Sequence, residues 1–124
     1  MSELIYKEES YKIIGVCMEV HRILGHGFSE IIYQDALEVA FRQAGIPFQR
    51  SRPYHVVFKG EILPHQYLAN FVVFDKIILE VKCVAQVTDE HISQTINFLK
   101  ISGCKLGLLL NFARGSLQHQ RLVL

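Results

Sequence analysis

A surplus of basic charge is missing from this chain, in which 13 Lys and Arg stand against 12 Asp and Glu. Proteins that hold phosphate backbones unaided carry such a surplus. Net charge therefore lends no support to nucleic acid as a partner. Only a local cluster, Arg50, Arg52 and Lys59 in "FQRSRPYHVVFKG", leaves room for one. Long apolar runs are missing too. No stretch approaches the ~20 residues that cross a bilayer, which excludes a spanning helix and sets membranes aside. "MSELIYKEESYK" mixes acidic and basic residues with no apolar centre, so no signal peptide is expected. Cysteine is sparse, with Cys17, Cys83 and Cys104 far apart, odd in number and without a CxxC. That argues against a disulfide framework and against a cysteine-built metal site. It points to reduced, partly buried thiols in a cytoplasmic setting. Repeats, low-complexity tracts and linkers are absent as well.

What remains is ordinary globular material. With 124 residues, half of them hydrophobic and 20% charged, the chain is expected to form one domain over residues 1–124 with one core. Apolar residues at helical spacing (Tyr11, Ile14, Cys17, Met18, with His21) predict a first helix from about Glu8 to Leu24. "GHGF" breaks it, and Ser29 or a neighbour is expected to cap a second helix through "EIIYQDALEVAFRQAG". Ile32, Leu37, Ala40, Phe41 and Ala44 form its apolar side, and Gly45 before Pro47 ends it. "PYHVVFKGEIL" reads as a strand, a turn at Lys59-Gly60-Glu61 and the start of another strand. "HQYLANFVVF" and "KIILEVKCV" read as strands covered on both faces. Thr88 caps a third helix, "DEHISQTINFLKISG", ended by Gly103. "KLGLLLNF" is a buried strand and "QRLVL" an edge strand. The order α-α-β-β-β-α-β-β makes this an α/β protein with a mixed sheet, in which the third helix joins two parallel neighbours.

One strand poses a question. Six of the nine residues of "KIILEVKCV" are apolar, yet Glu80 and Lys82 sit in its middle. Alternation puts both on one face with Ile78, while Ile77, Leu79, Val81 and Cys83 take the other. Burying either charge costs several kcal/mol, so the pair needs a cleft, a metal ion or further polar groups. A hairpin turning at Phe74 to Lys76 sets Asn70 opposite Glu80, with Cβ atoms about 4.5–5.5 Å apart. Gln94, one turn from His91 and Asn97 on the third helix, and Glu30 at the start of the second extend the polar set. Tyr33 is expected to pack on the sheet. The histidines show no ligand spacing, and "GHG" is expected to be a tight turn that brings Glu30 to the cleft.

These residues carry a resemblance. "VHRILGHGFSEIIYQDAL" resembles the signature of the GxxExxY proteins, with Gly27, Glu30 and Tyr33 at the named positions. "LANFVVFDKIILEVKCV" and "HISQTINFLKISGCKLGLLLNF" resemble the blocks that follow. The resemblance implies a PD-(D/E)xK nuclease-like protein with a restriction-endonuclease-like core, α-β-β-β-α-β, around a mixed central sheet flanked by helices. It implies Glu80 and Lys82 as the ExK, Glu30 as the helical Glu and Gln94 as the helical Gln. It also implies a Mg²⁺ or Mn²⁺ ion held by Glu80 and by the acidic residue of the preceding strand. At that acidic position this chain has Asn70, which offers one neutral oxygen. Asp75 stands five positions further on, about 16 Å away if extended, and does not replace it. Metal affinity is expected to be weak.

Three readings follow. In the first, favoured, the chain is a nuclease-fold protein weakened or inactive in hydrolysis, acting as a binding or assembly module. Glu80 is then paired with Lys82 and hydrogen-bonded to Asn70 and Gln94. The alternative is an active Mg-dependent nuclease cutting DNA or RNA phosphodiesters. The third is a homo-oligomer that joins copies through an apolar edge strand from "KLGLLLNF" or "RLVL".

Overall fold

A computed structural model describes residues 4–124; positions 1–3 of the expected domain lie outside the described residues. Two helices come first, α1 (Lys7–Leu24) and α2 (Glu30–Gln43). A five-stranded sheet follows, built from β1 (Phe48–Tyr54), β4 (Tyr67–Val73), β5 (Ile77–Lys82), β6 (Leu106–Asn111) and β7 (Gln118–Val123) in that spatial order. A small hairpin of β2 (Val57–Phe58) and β3 (Glu61–Ile62) stands apart from it. β5 and β6 run parallel and are joined through α3 (Asp89–Ser102); the other neighbours are antiparallel. The sheet is thus mixed, as expected from the order of elements. No helix of the described residues is long and apolar enough to cross a membrane.

The helices cover the sheet from both sides. Ile13, Cys17 and Val20 of α1 and Tyr33, Leu37 and Phe41 of α2 pack on Phe71, Val73, Ile77, Leu79, Val81, Leu106, Leu108 and Leu110. Leu99 of α3, with Ile96, Phe98 and Ile101, packs on Tyr67, Ala69, Val72 and Ile78 of the opposite face. Close contact there depends on Gly107, where an added Cβ would lie 3.3 Å from both Thr95 and Leu99. Thr88 caps α3 as expected, through a reciprocal pair of bonds between its hydroxyl and the His91 N–H and between its own N–H and the His91 ring.

Several local expectations need correction. Tyr11 and Met18 do not face the core; they are 64% and 48% exposed, and Ile13 and Val20 take the inward positions. The apolar residues of α1 occupy two stripes, and spacing alone does not say which one the sheet covers. Ile32 is also exposed. Ser29 stands at the N-cap of α2 but its side chain caps nothing. The first strand begins at Phe48, before the expected Pro53, and the "VVFKGEI" segment is the separate hairpin, with Lys59 and Gly60 both at positive φ. The Arg50–Arg52–Lys59 cluster dissolves, because Arg50 pairs with Asp35 at 2.7 Å and Arg52 with Asp75 at 3.0 Å.

One irregularity shapes everything near Glu80. Along β4, Tyr67 and Ala69 belong to the α3 face, whereas Phe71 and Val73 belong to the opposite one. Along β1, Phe48 and Tyr54 likewise pack on opposite faces. Strict alternation would keep each set on one face. The inversion falls at Asn70 and at Ser51, its neighbour across the ladder, whose φ is +56°. A serine tolerates that left-handed backbone at modest cost, and a β-branched residue does so poorly. Ser51→Val is therefore expected to cost about 1–3 kcal/mol in urea-induced unfolding, and Ser51→Gly to cost little. Equal stability of the two variants would contradict a strained inversion point.

Candidate functional site

The β4–β5 hairpin turns at Phe74 to Lys76, with Phe74 and Asp75 both left-handed. Its ladder pairs Val73 with Ile77, Val72 with Ile78 and Phe71 with Leu79. The next rung is Asn70 opposite Glu80, as the sequence predicts, and there the ladder opens. Side chains replace the backbone bonds. The Asn70 N–H donates to Glu80 Oε2 at 3.0 Å, and the Val81 N–H donates to Asn70 Oδ1 at 2.8 Å. A second donor reaches the same carboxylate oxygen, the Tyr67 hydroxyl at 3.1 Å. Tyr67 is held in place by its ring, stacked on Phe98 of α3 at 3.8 Å between centroids.

Glu80 is only 3% exposed. Burial is the main reason its carboxyl is pushed up to about 6, and the negative charge of Glu30 adds to this. The Asn70 N–H, the Tyr67 hydroxyl and the Lys82 charge pull in the opposite direction without prevailing. Tyr67 in turn is held protonated, first by burial and then by the charge of Glu80. A buried acid and a buried phenol thus share one hydrogen bond, which favours the ionised form of Glu80 and the protonated form of Tyr67.

The orientation of Asn70 decides what the site can bind. Its Oδ1 must face the Val81 N–H, because only an acceptor satisfies that donor. The other end of the amide, Nδ2, is then a donor without a lone pair to give. It has no protein partner, yet no buried side-chain nitrogen or oxygen of the described residues is left unpartnered, so Nδ2 meets solvent. An N–H group therefore stands on the accessible side of Asn70.

The remaining predicted residues gather less tightly. Glu30 begins α2, where Gln34 Nε2 donates to its Oε1 at 3.3 Å. Its charge is felt at both Glu80 and Cys83, so it lies on the site's flank. Lys82 is half-buried and acts on Glu80 only through space; no ion pair within 4.0 Å joins them among the described residues. The expected Glu80–Lys82 pair is therefore corrected. Gln94 is exposed on α3, one turn before Phe98, and no bond links it to Glu80. The "GHGF" segment breaks the chain between α1 and α2. Tyr33 is fully buried, donates to the Gly25 carbonyl at 2.6 Å and stacks on Phe112 at 4.7 Å, which fixes the entry to α2.

Two residues escaped sequence reading. Tyr67 reaches Glu80 only because of the inversion at Asn70, which period-two alternation conceals. Asn111 ends β6 wholly buried, with Nδ2 donating to the Val84 carbonyl and to Gln118 and Oδ1 accepting from the Val84 and Ala113 N–H groups. Its signal was the same as that of Glu80, a polar residue inside an apolar run. Asn111 stands beside Lys82 in the parallel ladder, so both sets of side-chain-to-backbone bonds lie toward the same, C-terminal end of β5 and β6.

A divalent ion fits this donor set badly. Mg²⁺ takes hard oxygens in octahedral array, with one or two carboxylates at its centre. Here Glu80 offers Oε1 alone, since Oε2 already accepts two bonds; burial pushes the carboxyl toward its neutral form, and Asn70 presents N–H. Among the described residues no group of three His, Cys, Asp or Glu is placed to hold a metal.

Against known families, the model described as the PD-(D/E)XK nuclease superfamily matches residues 7–122. The mixed five-stranded sheet flanked by helices is consistent with the restriction-endonuclease-like fold of that group. No curated protein and no solved structure matched the chain.

If burial sets the acidity of Glu80, stability must follow it. A carboxyl raised from 4.5 to about 6 in the folded state favours folding below pH 4.5, and that contribution fades as the pH rises through 6. The shift corresponds to about 2 kcal/mol. Glu80→Gln keeps an acceptor and removes the charge. It is expected to gain about that much stability relative to the parent between acidic and mildly alkaline pH, measured by chemical denaturation. A difference independent of pH would contradict the assignment.

Proposed function

Because this chain belongs to the PD-(D/E)XK nuclease superfamily, we propose that it is a member disarmed at its metal site, acting as a binding or assembly module. Within the superfamily it stands with the GxxExxY proteins, on the strength of Gly27, Glu30 and Tyr33. The observation that carries the reading is the Asn70 amide: its oxygen is bound to the Val81 N–H and a donor is left where a ligand is required. Two further features support it. Glu80 is bonded to Tyr67 and Asn70 as a structural group. Arg50 and Arg52 of β1, the strand paired with the first half of the hairpin, are bound to acids. Three free cysteines suit a reducing cytoplasmic setting.

The disarmed site is an inherited frame in this reading. Glu80, Lys82, Glu30 and Gln94 keep the positions of a catalytic set, and the hydrogen bonds among Asn70, Glu80, Tyr67 and Val81 keep the central hairpin rigid. Phosphodiester hydrolysis, DNA or RNA, is not part of it.

Calorimetric titration with Mn²⁺ tests the proposal. The parent is expected to show no binding. Asn70→Asp, which retains an oxygen for Val81 and presents a second one to solvent, is expected to bind. Heat from the parent that Glu80→Gln abolishes, accompanied by Mn²⁺-dependent cleavage of DNA or RNA, would overturn it.

A further inference from the structure

α1 carries a glycine that its own chain does not explain. Gly15 stands exposed near the middle of the helix, a position where glycine weakens a helix relative to alanine. Elsewhere a close approach demands glycine, as at Gly107, but an added Cβ at Gly15 would meet nothing within 4 Å. Gly15 lies on a stripe of exposed residues spaced by three and four, Glu8, Tyr11, Gly15, Met18 and Arg22. Such spacing forms one seam along a helix. Turned end for end about Gly15, the seam complements itself. Glu8 of one copy meets Arg22 of the other, Tyr11 meets Met18, and the two glycines cross at the centre. Neither Glu8 nor Arg22 has an ion-pair partner among the described residues.

The sheet edge beside this seam points the same way. Tyr11, Ile14, Gly15 and Met18 line an apolar groove whose other wall is Leu108, His119 and Arg121 of β6 and β7. β7 is an outer strand of the sheet, so one row of its N–H and C=O groups faces away from β6. The opposite outer strand, β1, carries Pro53 and the left-handed Ser51, features that discourage pairing. β7 has neither. A twofold axis normal to the sheet makes β7 antiparallel to its copy and lays the two α1 helices antiparallel on the same face.

We infer that this chain forms a twofold homodimer in which β7 pairs with its copy and α1 packs on its copy across Gly15. The near-balanced charge of the chain opposes such self-association little. The inference names the partner in the assembly reading above and rests on that reading for its purpose. Its test is independent of metal binding, so either can fail alone.

Sedimentation velocity across a concentration series tests it. The parent is expected to sediment as a dimer. Gly15→Leu is expected to be monomeric yet to keep the parent's fold by circular dichroism, since leucine improves helix propensity and a Cβ at this position meets nothing within 4 Å. Glu8→Arg and Arg22→Glu are each expected to raise the dimer Kd at least tenfold, and the double reversal to restore it. A monomeric parent at high micromolar concentration would overturn the inference. So would a Gly15→Leu variant that dimerises as the parent does, or charge reversals without mutual rescue.

Discussion

The carboxylate of Glu80 is the constraint around which the centre of this protein is organised. It lies within a sheet covered on both faces, where an unsatisfied charge would cost several kcal/mol. The Tyr67 hydroxyl and the Asn70 N–H both reach Oε2, and the Asn70 oxygen in turn accepts the Val81 N–H. These bonds replace the rung that the ladder omits, so hairpin pairing and charge solvation become one arrangement. Removing the Glu80 or Asn70 side chain leaves a backbone N–H of the hairpin without this partner.

That arrangement reaches outward through backbone geometry. Tyr67 meets Glu80 because β4 changes face at Asn70, and β4 can change face because its neighbour β1 does so at the left-handed Ser51. Phe98 of α3 stacks on Tyr67 and fixes the phenol from the far side. Glu30, at the start of α2, contributes charge from the site's flank. The carboxyl of Glu80 is thereby held between two donors, one from the backbone and one from a phenol.

Much of this was legible in the sequence. Val, Ile and Leu runs marked the central strands, and opposite charges inside one run marked Glu80 and Lys82 as unusual. The hairpin register followed from counting outward from the turn at Phe74 to Lys76. The helix caps at Thr88 and Gly103 followed from residue type. What stayed hidden was whatever depends on a broken period. Serine at position 51 does not advertise a positive φ as glycine or asparagine would, so the change of face at Asn70 and the role of Tyr67 were invisible. The inward side of α1 was also ambiguous, because Tyr11 and Met18 form an apolar stripe as regular as Ile13, Cys17 and Val20. Distances separated the expected Glu80–Lys82 pair, since spacing along a strand fixes a face but not a contact.

The most direct test of the account is a carbon-detected NMR titration of the Glu80 carboxyl, run with and without millimolar Mg²⁺. The account predicts a midpoint near 6 that Mg²⁺ leaves in place, because the carboxyl is governed by burial and its two donors. A midpoint that falls when Mg²⁺ is added would show the ion competing for the ionised form, and would contradict a disarmed site.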